Sequence, residues 1–342
     1  MIEQKIVGVG IVGLGFMGRT HLAAFDACEG ARVVGVADQN KTLLDGRAIE
    51  GGGGNLDIGS AEAVFDPAVV STYTDAKELC ARADIDLISI TTPTPTHRAL
   101  AVMAMEAGKH VLLEKPVDLD PKVIQDLAEF SKAKGVLAMP AHCMRFWPAW
   151  AWMKRHLDLG TYGRPRRATF RRLGAAPTWN EAFYLDEHQS GGAIVDLHIH
   201  DVDFIVHCFG TPKNVSSTGS TRRVVTTYEY ENGVEVEAEG GWLEADAEFE
   251  MVCAIECEEG TMSFDLARDP EVVVIHNGNE TSHPEASEYG TGYDGEVAAI
   301  VEAIAAGEEC PPVTLAEAAI VAHVLNAEIK SLETMQPCEF HH

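Results

Sequence analysis

The sequence predicts a doubly wound parallel α/β sheet over residues 1–140, followed over residues 141–342 by an α+β domain with a large, mainly antiparallel open sheet. Three observations carry this. Short apolar runs alternate with amphipathic stretches through the first part, which is the pattern of a sheet buried on both faces. A glycine-rich turn joins the first apolar run to the first amphipathic one. Beyond about residue 210 short strand-like runs follow one another with Asn-Gly and Glu-Gly turns between them, as in antiparallel hairpins. At 342 residues the chain also exceeds one average hydrophobic core, so two domains are expected.

Residues 5–12 (KIVGVGIV) read as a buried strand, and the turn after it opens a helix over Arg19–Ala27. Arg32–Ala37, Asp86–Thr91 and His110–Leu113 read as further strands, alternating with helices over Leu100–Ala107 and Lys122–Ala133. Glu50–Pro67, with its four consecutive glycines, reads as a flexible insertion. No strand precedes those glycines and no Gly-Lys-Ser/Thr follows, so they are not a phosphate loop. Ser190-Gly191-Gly192 opens a helix running to Phe209, with Ser190 as its N-cap and Val195, Ile199, Val202, Val206 and Phe209 as its apolar stripe. Val224–Glu231, Val234–Trp242, Glu248–Cys257, Thr261–Phe264 and Val272–His276 read as the meandering sheet, closed by helices over Gly295–Ala306 and Leu315–Leu332.

Two G-x-G-x-x-G matches overlap at the first turn. Gly8 to Gly13 lies inside the strand, whereas Gly13-Leu14-Gly15-Phe16-Met17-Gly18 follows it and leads into a helix. Only the second sets backbone N–H groups, those of Phe16 and Met17 among them, and a helix N-terminus where a pyrophosphate can sit, giving a Rossmann-type site. Asp38 ends the second strand, where a carboxylate accepts from the adenosine ribose hydroxyls. A 2′-phosphate ~4 Å from that carboxylate costs on the order of 4 kcal/mol at an effective dielectric near 20, so NAD is favoured over NADP. Thr91-Thr92-Pro93-Thr94-Pro95-Thr96-His97 follows a strand at its carboxyl end, where open parallel sheets bind ligands; Thr91, Thr92, Pro93, Thr94 and His97 are cofactor candidates. Glu114 and Lys115, in Glu114-Lys115-Pro116, stand at the end of the next strand and face the same crevice.

Lys115, Asp196 and His200 form a candidate catalytic set: a cationic donor, a carboxylate and an imidazole can remove an alcohol proton while the hydride leaves. Asp196 and His200 are four apart on the expected helix and share a face, which Asp203 and His207 extend. A zinc site through His198, His200 and Asp201 or Asp203 is disfavoured, because His198 and His200 lie on different sides of a helix.

With 53 acidic against 26 basic residues the net charge is −27, which repels nucleic acid and anionic membranes. No apolar stretch is long enough to span a bilayer. The eight cysteines are scattered without C-x-x-C, so neither a disulfide framework nor a metal site is expected. The N-terminus runs straight into a strand with no signal-peptide pattern, and a cytoplasmic setting is expected. The basic run Arg164–Arg172 has two readings: recognition of a substrate carboxylate or phosphate, or, the favoured one, pairing with the protein's own acids.

Over essentially its full length the chain resembles the glucose–fructose oxidoreductase/inositol dehydrogenase/rhizopine catabolism (Gfo/Idh/MocA) family. The resemblance rests on Gly13-x-Gly15-x-x-Gly18, Glu114-Lys115-Pro116, Arg145-Phe146-x-Pro148, and Ser190-Gly191-Gly192 followed by Asp196-x-x-x-His200. The chain departs from the family's usual Asn or Arg just before Arg145, carrying Cys143-Met144 instead. The resemblance implies a catalytic triad of Lys115, Asp196 and His200. His200 takes the hydroxyl proton, as suits an imidazole whose unperturbed pKa is near ~6.5. Lys115 stabilises the developing alkoxide, Asp196 holds the pair in register, and hydride passes to the nicotinamide.

The resemblance also implies a sugar or polyol substrate, contacted by Lys115, His142, Arg145, Trp179, Asp196 and His200, with Asn180, Tyr184 and Asp186 nearby. It further implies a homodimer or homotetramer assembled through the antiparallel sheet. The leading expectation is an NAD-dependent sugar or polyol dehydrogenase. The alternatives are a member of another class that retains its NAD, cleaving glycosides or epimerising, and a non-catalytic NAD- and sugar-binding regulator.

Overall fold

A computed structural model describes residues 5–47, 64–178, 180–287 and 290–340. Trp179, most of the glycine-rich insertion and the terminal His341-His342 lie outside the described residues. The chain forms two compact units. Met1–His142 with Tyr293–Ala319 make the first, and Cys143–Gly292 with Ile320–His342 the second. The division is thus not a single cut near residue 140, because the helix Gly292–Ala306 falls almost wholly within the first unit.

The first unit is built on a six-stranded sheet in the order β3-β2-β1-β4-β5-β6, every pair parallel. The strands are β1 (Val7–Val12), β2 (Ala31–Ala37), β3 (Ser71–Tyr73), β4 (Leu87–Ile90), β5 (His110–Leu113) and β6 (Ala138–Pro140). All residues of β1 and β4 are buried, as continuous apolar runs in a two-sided sheet require. Gly8 and Gly10 belong to this packing. A Cβ on Gly8 would stand 1.9 Å from the Asp84 carbonyl, and one on Gly10 would meet Ile88, Ile85 and Leu79 within about 3 Å. The first overlapping glycine match is therefore structural. Strands β3 and β6 are three residues each, too short to leave a periodic signal.

The second unit carries a nine-stranded sheet in the order β14-β13-β12-β11-β7-β10-β9-β8-β15. Its strands are β7 (Pro165–Ala175), β8 (Asn214–Gly219), β9 (Arg223–Glu229), β10 (Glu235–Leu243), β11 (Glu250–Cys257), β12 (Gly260–Asp265), β13 (Val272–His276), β14 (Asn279–Ser282) and β15 (Cys338–Glu339). All neighbours are antiparallel except β7 and β10. The basic run proves to be the middle strand of this sheet. Ala168, Phe170 and Arg172 point into the core, while Arg167 and Arg171 point out. Arg171 meets Glu239 and Glu250, Arg164 meets Glu258, and buried Arg172 forks onto Asp201 at 2.8 and 3.2 Å. Pairing with the protein's own acids is what these arginines do. The core beneath is aromatic, with Trp150 edge-on to Phe204 at 4.7 Å and to Phe264 at 5.7 Å.

Candidate active site

The turn after β1 is built on glycines, and each has its own reason. Gly13 sits at φ +92°, a backbone that a side chain rarely adopts. Gly18 packs its Cα so tightly on the turn that a Cβ would be 1.9 Å from the Gly13 carbonyl oxygen. Gly15 is the opposite case: it is exposed, and among the described residues no atom beyond its chain neighbours lies within 4 Å of where its Cβ would be. That open approach, at the start of the helix Phe16–Ala27, gives an anion access to the backbone there. These residues fit a dinucleotide.

Three loops converge at the carboxyl edge of the first sheet, on either side of the point between β1 and β4 where strand order reverses. Asp38, the residue after β2, accepts the N–H of Leu14 at 2.7 Å and that of Asn40 at 2.7 Å. The carboxylate expected at the ribose is therefore also a brace of the glycine turn. Thr91 donates its hydroxyl to the carbonyls of Gly13 and Val12 at 2.8 and 3.1 Å, so it locks β4 to the turn instead of offering that proton to a ligand. Thr92 bonds Thr96, Thr94 is buried, and Pro93 is exposed. His97 is buried, with Nε2 at 2.7 Å from the Thr92 carbonyl and Nδ1 at 3.0 Å from that of Pro116. It ties two loops together. Burial pushes its imidazole below the ordinary range.

Glu114, expected at the cofactor, likewise has its side chain turned inward. Its Oε2 accepts the Lys115 backbone N–H at 3.0 Å, and its Oε1 meets His21 Nε2 at 2.9 Å. His21 Nδ1 in turn meets Ser89 Oγ at 2.8 Å. Glu296 reaches 3.5 Å from the same His21 nitrogen. This trio was not foreseen. His21, Glu114 and Glu296 are buried, and their ligand-type atoms lie within 4.8 Å of one another. Lys115 itself, following Glu114 and preceding the cis Pro116, is partly exposed.

In the second unit the long helix expected from Ser190 to Phe209 is three pieces: Glu187–Ser190, Gly192–Asp196 and Ile199–Phe209. Ser190 ends the first piece, and its Oγ accepts the Gly192 N–H at 3.1 Å. Gly191 and Gly192, at φ +77° and +72°, make the turn between pieces. The second break is set by His198. Its side chain lies against Gly240, where any Cβ would be 2.4 Å from Nδ1, and its N–H reaches back five residues to Ala193. Its Nε2 lies 3.2 Å from both Glu328 Oε2 and the Tyr228 hydroxyl. Asp196 and His200 consequently stand on separate helices on either side of the break, not four apart on one face. Both are partly exposed, and His200 presents Nδ1 to Cys143 Sγ at 4.0 Å.

Arg145 is buried, and its guanidinium grips Asp203 at 2.7 to 3.1 Å. It fastens the segment after β6 to the helix Ile199–Phe209, and those bonds do not read a substrate anion. His142 is buried, and Trp179 lies outside the described residues. No helix among the described residues is long and apolar enough to cross a membrane.

Comparison with known proteins agrees with this fold. The family described as "Oxidoreductase family, NAD-binding Rossmann fold" matches residues 54–142, and the GFO/IDH/MocA C-terminal domain matches residues 150–263. Inositol 2-dehydrogenase 1 of Saccharopolyspora erythraea is 29% identical over 326 residues, covering 90% of this chain and 88% of that protein. A scyllo-inositol 2-dehydrogenase (NADP(+)) of Bacillus subtilis is 28% identical over 215 residues, 59% of this chain and 64% of that one. Levoglucosan dehydrogenase in complex with NADH and levoglucosan superposes with a TM-score of 0.83 at 21% identity, over 98% of this chain and all of that one, a likeness of fold. The chain belongs to the Gfo/Idh/MocA family of oxidoreductases.

Proposed function

We propose that this protein is a nicotinamide-dependent dehydrogenase that moves a hydride between the cofactor and a secondary alcohol of a sugar, an inositol or a related polyol. The observation that carries the reading is the convergence at one sheet edge. The open glycine turn, the Thr91–His97 loop and Lys115 all stand at the carboxyl ends of neighbouring strands, linked through Thr91, His97 and Glu114. A bound nicotinamide supplies the hydride acceptor.

Backbone N–H groups of the turn hold the pyrophosphate, and Asp38 the adenosine ribose; a 2′-phosphate would sit against that carboxylate, so NAD is the preferred form. Lys115 donates a hydrogen bond to the substrate hydroxyl oxygen and stabilises charge developing there. His200 takes the hydroxyl proton, and Asp196 keeps the donor and base in register. The names of the inositol-dehydrogenase relatives support a polyol substrate. The protein works in the cytoplasm as a homodimer or homotetramer joined through its large sheet.

The test is a screen of inositols, aldoses, anhydrosugars and sugar acids with NAD and with NADP, following the absorbance of the reduced nicotinamide. Release of NADH in step with substrate oxidation is expected. A product formed without net reduced cofactor would favour an enzyme that oxidises only transiently, and turnover of none of these alcohols would overturn the dehydrogenase reading.

A further inference from the structure

The cluster of His21, Glu114 and Glu296 has no part in binding or hydride transfer as described, yet burying it demands an account. With both carboxyls ionised and the imidazole neutral, the group would hold two uncompensated negative charges out of water, which only protons or a metal cation can relieve. We propose that Glu296 is a neutral carboxylic acid, and that with His21 it holds Glu114 as the one anion of the cluster, fixing the backbone from which Lys115 projects. His21 and Glu296 are thus positioning residues for Lys115, a role that rests on the catalytic reading of that lysine.

The hydrogen bonds run in one direction. A carboxylate only accepts, so His21 donates from Nε2 to Glu114 Oε1 at 2.9 Å, and Nδ1 is left to take the Ser89 hydroxyl proton at 2.8 Å. Glu114's other oxygen receives the Lys115 N–H at 3.0 Å. A chain of contacts therefore leads from Ser89 in β4, through the helix of the glycine turn, to the peptide of Lys115 at the end of β5. Glu296, from the helix Gly292–Ala306, comes to 3.5 Å from His21 Nε2, and neither of its oxygens has a hydrogen-bond partner among the described residues. Burial, and then the charge on Glu114, drive its carboxyl well above the ordinary carboxylate range. Burial also raises Glu114, but its interactions with His21, and after them the Lys115 charge and N–H, outweigh it and keep that carboxyl below its usual value. One acid is neutral and the other charged because only one has donors.

Infrared spectra of the whole protein at about pH 8, where exposed carboxyls are ionised, should show a protonated carboxyl band that Glu296→Gln lacks. That variant should unfold close to the wild-type temperature, because an amide is the neutral isostere of the acid. No such band, or one equivalent of divalent metal in the purified protein that Glu296→Gln loses, overturns the neutral acid. For positioning, His21→Leu should lower kcat about a hundredfold, the effect of displacing a catalytic group by an ångström, with NADH affinity held within roughly threefold. His21→Gln, whose amide can still donate to Glu114, should recover most of that loss. The assay uses NAD with the fastest alcohol of the screen, and Lys115→Ala as reference. Equal kcat for the Leu and Gln variants would make His21 merely structural and overturn the role. If Lys115→Ala, or the whole screen, shows no dependence on the lysine, the parent reading falls and the positioning role with it, while the infrared band still decides the state of Glu296.

Discussion

Two single-methyl substitutions in the glycine turn separate what it does for the fold from what it does for the cofactor. In Gly18→Ala the new Cβ would lie 1.9 Å from the Gly13 carbonyl oxygen, 2.8 Å from its carbon and 3.0 Å from Thr91 Oγ1. The first two are backbone atoms, so the helix Phe16–Ala27 must lift off the turn by more than an ångström (contact distances being ~3.5 Å). Overpacking of that kind costs about 2–3 kcal/mol, or a melting temperature lower by roughly 5–10 °C for a unit of this size.

Gly15→Ala meets nothing within 4 Å among the described residues beyond its chain neighbours, and Gly15 already has φ −64°. Its stability cost is at most about 1 kcal/mol, that of a poorer helix cap. Under the proposed function, however, its methyl stands where the pyrophosphate approaches the backbone. Thermal unfolding without ligand and fluorescence titration with NADH measure the two effects separately. Gly15→Ala should melt near the wild type and bind NADH at least about tenfold more weakly, a loss of roughly 1.4 kcal/mol; Gly18→Ala should lose both. Wild-type NADH affinity in Gly15→Ala would refute the placement of the pyrophosphate, and an unchanged melting temperature in Gly18→Ala would refute the packing.

Lys115→Ala should keep NADH binding but lose about two to four orders of magnitude in turnover, which steady-state kinetics will read directly. Asp38→Ala should weaken NAD binding and narrow the preference over NADP, and it should also destabilise the protein by about 1–3 kcal/mol because the buried-side Leu14 N–H loses its acceptor; competitive binding and melting curves check the two parts. Arg145→Leu leaves Asp203 charged and buried, so unfolding free energy should fall by about 3–5 kcal/mol, and adding Asp203→Leu should restore most of it.

Burial pushes the His198 imidazole down, but Glu328, with Asp201, raises it more, so the net shift is upward. A raised folded pKa means that the contribution is fully present below the unfolded value near ~6.5 and is lost as pH rises through the folded one. Chemical denaturation should therefore show His198→Gln falling further below the wild type at acid pH than at alkaline pH.

The overlapping fingerprints show how much local sequence can decide. Gly8 to Gly13 and Gly13 to Gly18 have the same spelling, but only the second stands between a strand and a helix, and that order is written in the apolar periodicity. The alternation of β1, β2, β4 and β5 with helices was legible for the same reason, since a sheet covered on both faces needs continuous apolar strands. Strand β7 was not. Its inward Arg172 breaks the alternation, and the charge is tolerable only because Asp201, on another element, is there to pair with it.

Local sequence determined the parallel sheet, the glycine turn, the strand ends that carry Asp38 and Lys115, and the presence of Asp196 and His200. Tertiary structure alone decided where the long helix breaks, because the break is made by His198 seating against Gly240, Tyr228 and Glu328, none of them its neighbours in the chain. It alone decided that Glu114, Thr91 and His97 face inward as braces, since a side chain's direction is fixed by the partner it finds. It also brought His21 and Glu114, 93 residues apart, into one hydrogen bond and set Glu296 beside them. Spacing along a chain records helices and strands; the pairing of buried charges is a property of the packed interior, where desolvation makes each one find its counterpart.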